Sequence, residues 1–215
     1  LVKPITKKIT GMKILGSNGD NNEQMVKDYI NAHEFPQPID LPLSEPVTLQ
    51  DQRKQMQVII DKESFYFQFL EERYLPYPYN SDDYYYPNMN PNPHDWGLCQ
   101  LSVSEPSLSV IWNWKTNINA GIHHLWSEKF SQLKRDGLGG GFYEIKERFH
   151  NKGIEIPNLN RKEFLIWLAQ RYKGGQYYMD YTPGKKGEKG NWVINPKHRT
   201  YGDDFCVRFG FSKCE

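Results

Sequence analysis

The chain has 215 residues, and its 27 basic and 26 acidic side chains leave a formal net charge of +1. This length suits one sizeable domain with extensions, and the balanced charge removes the electrostatic case for nucleic acid as a partner. No run of residues approaches the roughly 18 apolar positions that a membrane-spanning helix needs, whereas 14 Tyr, 11 Phe and 6 Trp exclude a disordered chain.

Residues 1–46 are interrupted by Lys, Asn, Gly and Pro and are predicted to form an N-terminal extension with one short helix, at about Asn22 to Ala32. The chain begins at Leu1 without a positively charged segment followed by an apolar one, which favours a mature form or an excised domain. A central domain is predicted over residues 47–178. An appendage over residues 179–215 is predicted to pack on the same domain.

The segment from Thr48 to Ser64 is predicted to be an amphipathic helix with a carboxylate on its buried face. Thr48 can cap it, and Asp51 lies in its first turn. One face carries Glu63 with apolar residues at helical spacing, namely Leu49, Met56, Ile59 and Ile60. The other face carries Gln52, Lys54, Gln55, Asp61 and Lys62. A desolvated carboxyl group holds its proton more readily, as a general acid must near neutral pH, so Glu63 is a candidate general acid. The alternative interpretation is that Glu63 is an ordinary residue at a helix end, paired with a Lys or Arg.

An irregular, aromatic-rich insertion is predicted from Tyr74 to Pro93. It contains six Tyr, at positions 74, 77, 79, 84, 85 and 86. It also contains five Pro, at positions 76, 78, 87, 91 and 93. Five prolines exclude a long helix or a central strand here. The insertion could form a wall over a cleft or cover one side of the core.

Two helices are predicted after the insertion. The first runs from Asn117 to Arg135 and ends at Gly137, with an apolar stripe of Ile118, Ile122, Leu125, Trp126, Phe130 and Leu133. The second runs from Phe142 to Phe149, with Phe142, Ile145 and Phe149 on one side.

A further helix is predicted to start at the capping box of Asn160 and Glu163 and to run through Tyr172. Its inward residues are Phe164, Trp167, Leu168 and Tyr172, and Gly174-Gly175 stops it. Beyond it, Trp192 to Ile194 and Phe205 to Phe211 are predicted strands. The predicted fold class is therefore mainly α, with a small, partly β C-terminal appendage.

The three cysteines indicate whether the protein works in an oxidising or a reducing compartment. Cys206 and Cys214 lie near each other in the sequence, so a disulfide between them is an open alternative, and one bridge would be weak evidence for an oxidising environment. Cys99 would be left over as a small, buried apolar residue.

Four short motifs occur in order along the central domain. They are Glu63-Ser64 at a helix end, Gly97-Leu98-Cys99-Gln100, Asn117-Ile118 with Gly121, and Tyr172-Lys173-Gly174-Gly175. Together they resemble the signature of the lysozyme-like lytic transglycosylases of the soluble type, which cleave peptidoglycan. The resemblance spans roughly residues 48–178. It implies a lysozyme-like helical domain with a cleft between the Glu63 helix and the Tyr172 region.

The resemblance also implies roles for individual residues. Glu63 would be the catalytic acid and later the base, with Ser64 and Tyr172 supporting catalysis, the tyrosine by orienting the carboxyl group. Substrate-binding residues would be Gly97, Leu98, Cys99, Gln100, Asn117, Lys173 and Gly174. Trp96 is a further substrate-binding candidate, because it lies next to Gly97 in the sequence. Cys99 replaces the family's Met, and Arg171-Tyr172-Lys173 replaces its Ala-Tyr-Asn, which puts the Asn contact in doubt. The gap between Glu63 and Gly97 is also longer than is usual in the family.

The implied reaction is non-hydrolytic cleavage of the MurNAc–GlcNAc bond, which leaves a 1,6-anhydro-muramic acid end. A hydrolytic muramidase or chitinase-like glycosidase is the second hypothesis, and it would need a second carboxylate. Asp82, Asp83 and Asp95 are the candidates, although loop residues of this kind are commonly solvated turn positions. A lysozyme-like domain that binds glycan without cleaving it is the third hypothesis.

No metal or other cofactor is expected. His123 and His124 are neighbours on a helix and face different directions, unlike the i, i+4 histidines of a metal site. The implied partner is the peptidoglycan glycan strand, and a dedicated inhibitor or immunity protein would join it if the protein is a toxin. The implied place of action is periplasmic or extracellular, and delivery as part of a larger secreted protein would fit an excised domain.

Overall fold

The computed structural model describes residues 22–36, 40–66, 69–71, 85–87, 97–101, 107, 109–110, 113–173, 179–185, 190–194 and 199–212. These residues are mainly helical, as predicted from the sequence. In chain order the elements are α1 (Asn22–Ala32), α2 (Leu49–Ser64), β1 (Phe69–Glu71), β2 (Tyr85–Pro87), α3 (Trp114–His123), a π-helical turn (His124–Lys129), α4 (Phe130–Lys134), α5 (Phe142–His150), α6 (Arg161–Tyr172), β3 (Met179–Thr182), β4 (Asn191–Ile194) and α7 (Arg199–Phe209).

The strands form two separate antiparallel pairs. β1 pairs with β2, with Leu70 opposite Tyr86, and β3 pairs with β4, with Tyr181 opposite Trp192. The rest of the predicted insertion between Tyr74 and Pro93 lies outside the described residues, apart from β2. Its irregular character therefore stays a prediction.

Two compact units make up the chain. Unit 1 comprises Leu1–His33 and Ile59–Gly121, and unit 2 comprises Glu34–Val58 and Ile122–Glu215. Helices α2 and α3 each contribute residues to both units. The predicted division into residues 1–46, 47–178 and 179–215 follows sequence composition and stays a prediction.

The predicted cap of α2 is confirmed. The Asp51 N–H donates to the Thr48 Oγ1 atom at 3.1 Å, and the Asp51 carboxylate accepts from the Thr48 N–H at 2.9 Å. Two backbone donors that the start of a helix leaves unpaired are thereby satisfied by local side chains. This reciprocal pair sets the beginning of the helix that ends at Glu63.

The predicted polar face of α2 is wrong at two positions. Gln52 and Gln55 are fully buried, whereas Leu49, assigned to the apolar stripe, is exposed. The Gln55 amide donates to the Leu165 carbonyl at 2.8 Å within unit 2, and the Gln52 amide donates to the Pro36 carbonyl at 3.2 Å. Burying a polar side chain is tolerated when it has such partners. Residues distant in sequence supply both acceptors, so the helical period could not identify them.

The predicted helix from Asn117 to Arg135 is confirmed with adjusted ends and one irregular turn. It begins at Trp114, changes to π-helical geometry at His124–Lys129 and ends at Lys134, where Arg135 becomes extended. All six residues of its predicted stripe are buried, namely Ile118, Ile122, Leu125, Trp126, Phe130 and Leu133. The apolar pattern therefore located the core face but gave no indication of the π turn.

The predicted helices over Asn22–Ala32 and from Phe142 are confirmed, and so is the capping box of α6. The Asn160 side chain accepts from the Glu163 N–H at 2.9 Å, and the Glu163 carboxylate accepts from the Asn160 N–H at 2.8 Å. The predicted inward residues of α6 are all buried, namely Phe164, Trp167, Leu168 and Tyr172.

The C-terminal segment is only partly as predicted. The strand around Trp192 to Ile194 is confirmed as β4, but the predicted strand from Phe205 to Phe211 is wrong, since α7 continues to Phe209. Alternation would place Phe205 and Val207 on the same face, yet Phe205 is buried and Val207 is 67% exposed. Phe205, Cys206 and Phe209 form the buried side, which is the spacing of a helix.

Aromatic rings form much of the core of unit 2. The Trp192 ring stacks on Phe142 at a centroid distance of 5.6 Å and meets the edge of Tyr181 at 5.5 Å. Its Nε1–H donates to the Pro157 carbonyl at 3.0 Å, which satisfies the polar end of the buried side chain. The high aromatic content is therefore used at least partly for packing.

Cys206 is disulfide-bonded, whereas Cys99 is buried and not part of a disulfide. Cys214 lies outside the described residues. Among the helices that the structure describes, none has the length and apolar character to cross a membrane.

Candidate functional site

Glu63 lies in the last turn of α2, within unit 1. Its side chain is half-buried, so the carboxylate predicted for the apolar face keeps some access to solvent. Ser64 is buried, and its Oγ donates to the Ile60 carbonyl one helical turn earlier, at 3.0 Å. The serine hydroxyl thus contacts the backbone of the helix that positions Glu63.

Two consecutive residues in the left-handed backbone region follow the Glu63-Ser64 pair. Phe65 has φ +50° and Tyr66 has φ +63°. Each such non-glycine residue costs on the order of 1 kcal/mol or more, and strained positions of this kind concentrate at functional sites. Phe65 is 64% exposed, whereas Tyr66 is buried, with the Lys27 Nζ 5.7 Å from its ring centroid. No sequence pattern indicated this strain, since neither residue is a Gly or Asn.

The Gly97-Leu98-Cys99-Gln100 turn is fastened to the start of α3 within unit 1. The Cys99 N–H donates to the Asn117 Oδ1 at 2.9 Å, and the Asn117 Nδ2 donates to the Val110 carbonyl at 3.2 Å. The turn is also closed internally, because the Gln100 Nε2 donates to the Gly97 carbonyl at 2.7 Å. Two of the four sequence motifs are thus joined by a direct hydrogen bond.

The turn is buried and contains two residues with positive φ. Gly97 has φ +73° and Gln100 has φ +44°. Leu98 and Cys99 are fully buried, and Asn117 is too. The Leu98 and Cys99 side chains therefore contribute to the core of unit 1. The Asn117 amide holds the turn in position, a role that the sequence pattern did not indicate. Whether the turn lines a cleft stays a prediction.

Tyr172 ends α6 in unit 2. It is buried, and its ring meets the edge of the His124 ring at a centroid distance of 5.6 Å and an interplanar angle of 76°. Lys173 follows as the exposed C-cap of the helix. The other predicted site residues lie outside the described residues, namely Trp96, Gly174, Asp82, Asp83 and Asp95.

Arg171, the residue before Tyr172, forms a buried ion pair. Its Nη2 donates to the Asp136 Oδ2 at 2.8 Å and to the Gly140 carbonyl at 2.7 Å. The other oxygen of Asp136 accepts from the N–H groups of Leu138 and Gly140 at 2.8 and 3.1 Å. The charged side chain next to Tyr172 is therefore tied to the loop that follows α4. The sequence showed Arg171 only as a departure from the motif.

The electrostatics of Asp136 follow from these contacts. Burial by itself raises the pKa of the carboxyl group, but the hydrogen bonds from Arg171 and from the Leu138 N–H outweigh it and lower the pKa to about 2. A carboxylate that is stabilised in the folded state releases its proton more readily there than in the unfolded chain. The pair thus favours the folded state wherever Asp136 is ionised.

The stability of the protein should consequently depend on Asp136 in acid. Because the pKa is lower in the folded state than its ordinary value of 3.8, the contribution is complete above about pH 4 and is lost as the pH falls towards 2. A shift of this size corresponds to about 2 kcal/mol. Urea unfolding at pH 6, 4 and 3 should show the difference between wild type and Asp136→Asn shrinking in acid. A difference that is constant with pH would contradict the assignment.

Metal binding has no support in the part of the chain that the structure describes, where no group of three or more His, Cys, Asp or Glu side chains could hold an ion. No protein-family model, no curated protein and no solved structure matches this chain.

Proposed function

We propose that the protein is a peptidoglycan lytic transglycosylase that cleaves the MurNAc–GlcNAc bond with Glu63 as its single catalytic carboxyl group. The observation that carries the proposal is the hydrogen bond of 2.9 Å between the Cys99 N–H and the Asn117 Oδ1. It joins two of the motifs, and Glu63 belongs to the same compact unit. The proposed fold is a lysozyme-like domain with a Tyr/Pro-rich insertion.

The surroundings of Glu63 support a catalytic rather than a purely structural role. The side chain is half-buried, so it is partly desolvated and still reachable by a substrate. Two left-handed residues follow the Glu63-Ser64 pair, and such strain persists only where the surrounding structure holds it in place. The Phe65 side chain, two residues after Glu63, is exposed, and an exposed aromatic ring can stack on a sugar ring.

The proposed reaction needs no second carboxylate. The Glu63 carboxyl group donates its proton to the leaving oxygen of GlcNAc while the bond from that oxygen to C1 of MurNAc breaks. The acetamido group of MurNAc stabilises the positive charge that develops at C1. The C6 hydroxyl oxygen of MurNAc then bonds to C1 and gives its proton to the Glu63 carboxylate, which restores the acid. The product is a 1,6-anhydro-muramic acid end.

Tyr172 and Lys173 have supporting roles in this proposal. In it Tyr172 supports catalysis, and the exposed Lys173 contacts the substrate. The buried ion pair of Arg171 supports the tyrosine, since it fixes the last turn of α6 to a neighbouring loop. This contact accounts for a charged residue at a position where the family has a small one.

The proposed place of action is the bacterial cell wall, in the periplasm or outside the cell. The disulfide bond of Cys206 supports it, because such bonds persist in oxidising compartments. The partners are glycan strands. A dedicated inhibitor or immunity protein is a further proposed partner if the protein acts as a toxin.

Digestion of purified peptidoglycan tests the proposal. We expect the wild-type protein to release muropeptides that mass spectrometry finds lighter by one water molecule than the hydrolysed form. Reducing ends of ordinary mass would instead indicate a hydrolase and direct the search to Asp82, Asp83 and Asp95. No products from several types of cell wall would leave only glycan binding, and sedimentation with insoluble peptidoglycan would measure that.

A further inference from the structure

A π-helical turn brings two neighbouring histidines to one carboxylate. In the segment His124–Lys129, the Glu128 side chain lies 2.6 Å from the His124 Nδ1 and 3.5 Å from the His123 Nδ1. An α-helix is widened by one residue in such a turn, and turns of this kind are frequent at functional sites. The closer contact identifies His124 as the main partner of Glu128.

The two histidines differ in their surroundings. The His123 side chain is 67% exposed, whereas that of His124 is only 18% exposed. The edge-to-face contact between His124 and Tyr172, described above, joins the π-helical turn to the last residue of α6. His124 thus connects Glu128 on one side with Tyr172 on the other. An edge-to-face contact of this kind favours one relative orientation of the two rings.

The charge state of His124 suits a fixed contact of this kind. Burial lowers its pKa below the ordinary value of 6.5, the hydrogen bond to Glu128 opposes that shift, and Lys129 and His123 reinforce it. The ring is therefore neutral near neutral pH. A carboxylate can only accept, so the bond to Glu128 assigns the proton to Nδ1 and leaves Nε2 as an acceptor. The groups that face His124 are Glu128, Lys129 and His123 from its own segment and Tyr172 from α6.

We propose that His124, held by Glu128, is a positioning residue for Tyr172 in the transglycosylase reaction. It fixes the orientation of the tyrosine ring and so the direction of the hydroxyl group. The inference rests on the proposed function, since that function gives Tyr172 its role. A misplaced supporting group lowers the rate of the chemical step more than it weakens substrate binding.

A double-mutant cycle measures the connection. His124→Ala should lower kcat on a soluble peptidoglycan oligosaccharide about tenfold, with KM changed less than about twofold. If His124 acts through Tyr172, the double variant His124→Ala/Tyr172→Phe should be no slower than Tyr172→Phe alone. Glu128→Ala should reproduce the effect of His124→Ala in part. Losses that simply multiply in the double variant would overturn the proposal.

His123→Ala is the matched control, because it removes the same kind of side chain from the adjacent, exposed position. Its kcat should stay within about twofold of the wild type. A loss equal to that of His124→Ala would show a general effect of altering the π-helical turn and would overturn the specific role of His124.

A spectroscopic readout separates this inference from the proposed function. In the wild type, the NMR signal of the Tyr172 ring, assigned by its absence in Tyr172→Phe, should shift as His124 titrates below pH 6.5. The shift should vanish in His124→Ala and persist in His123→Ala. A tyrosine signal insensitive to His124 overturns the inference even in an active enzyme. Coupled rings in a protein without lytic activity would instead overturn the proposed function and the catalytic part of the inference with it.

Discussion

Replacing Glu63 with Gln should abolish the release of anhydro-muropeptides, with a fall in rate of about a thousandfold or more. One carboxyl group is proposed to donate the proton to the leaving oxygen and then to remove the proton of the attacking hydroxyl group. An amide of the same shape performs neither step, and each proton transfer contributes about 10²- to 10⁴-fold. Initial rates of product release, quantified by mass spectrometry, give the comparison.

The control for this result is Asp61→Asn, the same change from acid to amide two residues earlier on α2. Its rate should stay within about threefold of the wild type, because the proposal gives Asp61 no chemical role. Both variants should keep a melting temperature close to that of the wild type, since each amide has the shape of the carboxylate it replaces and both side chains keep some access to solvent. A Glu63→Gln enzyme that keeps a tenth of the activity would show that another group supplies the proton.

Replacing Arg171 with Met should cost about 3–5 kcal/mol of folding stability, because it leaves the Asp136 carboxylate buried without its cation. The Gly140 carbonyl would also lose its donor. For a chain of this length, the melting temperature should fall by about 10 °C. Thermal unfolding followed by circular dichroism measures the shift, and urea unfolding gives the free energy.

The matched control is Arg135→Met, which removes an exposed arginine paired with Glu147 on the surface. Solvent screens such pairs, so its melting temperature should stay close to that of the wild type. The double variant Arg171→Met/Asp136→Asn should recover part of the loss, since no unpaired charge then remains buried. Equal effects of Arg171→Met and Arg135→Met would contradict the assigned importance of burial.

Sequence motifs identified several residues of the candidate site, but they did not identify the contacts that these residues make. Glu63, the turn at Gly97 and Asn117 were found from short patterns. The hydrogen bond that joins the turn to Asn117 connects residues 18 positions apart. The left-handed backbone at Phe65 and Tyr66 occurs without the glycine that usually indicates such a conformation. Neither feature has a sequence pattern, because each depends on how the surrounding chain packs.

The sequence by itself determined the features that depend on neighbouring residues. The caps at Thr48 and Asn160 set the starts of α2 and α6, because each side chain satisfies backbone donors within its own first turn. The apolar period located the core face of the long helix that contains Ile118 and Leu133. These interactions reach at most a few residues along the chain, so local patterns suffice to predict them.

The tertiary structure alone decided which polar groups are buried and what they contact. Gln55 is inside because the Leu165 carbonyl, 110 residues away, accepts its hydrogen bond. Arg171 and Asp136 are 35 residues apart, and their hydrogen bond gives a structural reason for the arginine, which the motif did not predict. Phe205 to Phe209 became helical because that geometry buries Phe205, Cys206 and Phe209 together. In each case the free energy that favours the observed arrangement comes from burial and hydrogen bonding with residues distant in sequence, and a local sequence pattern cannot predict these contacts.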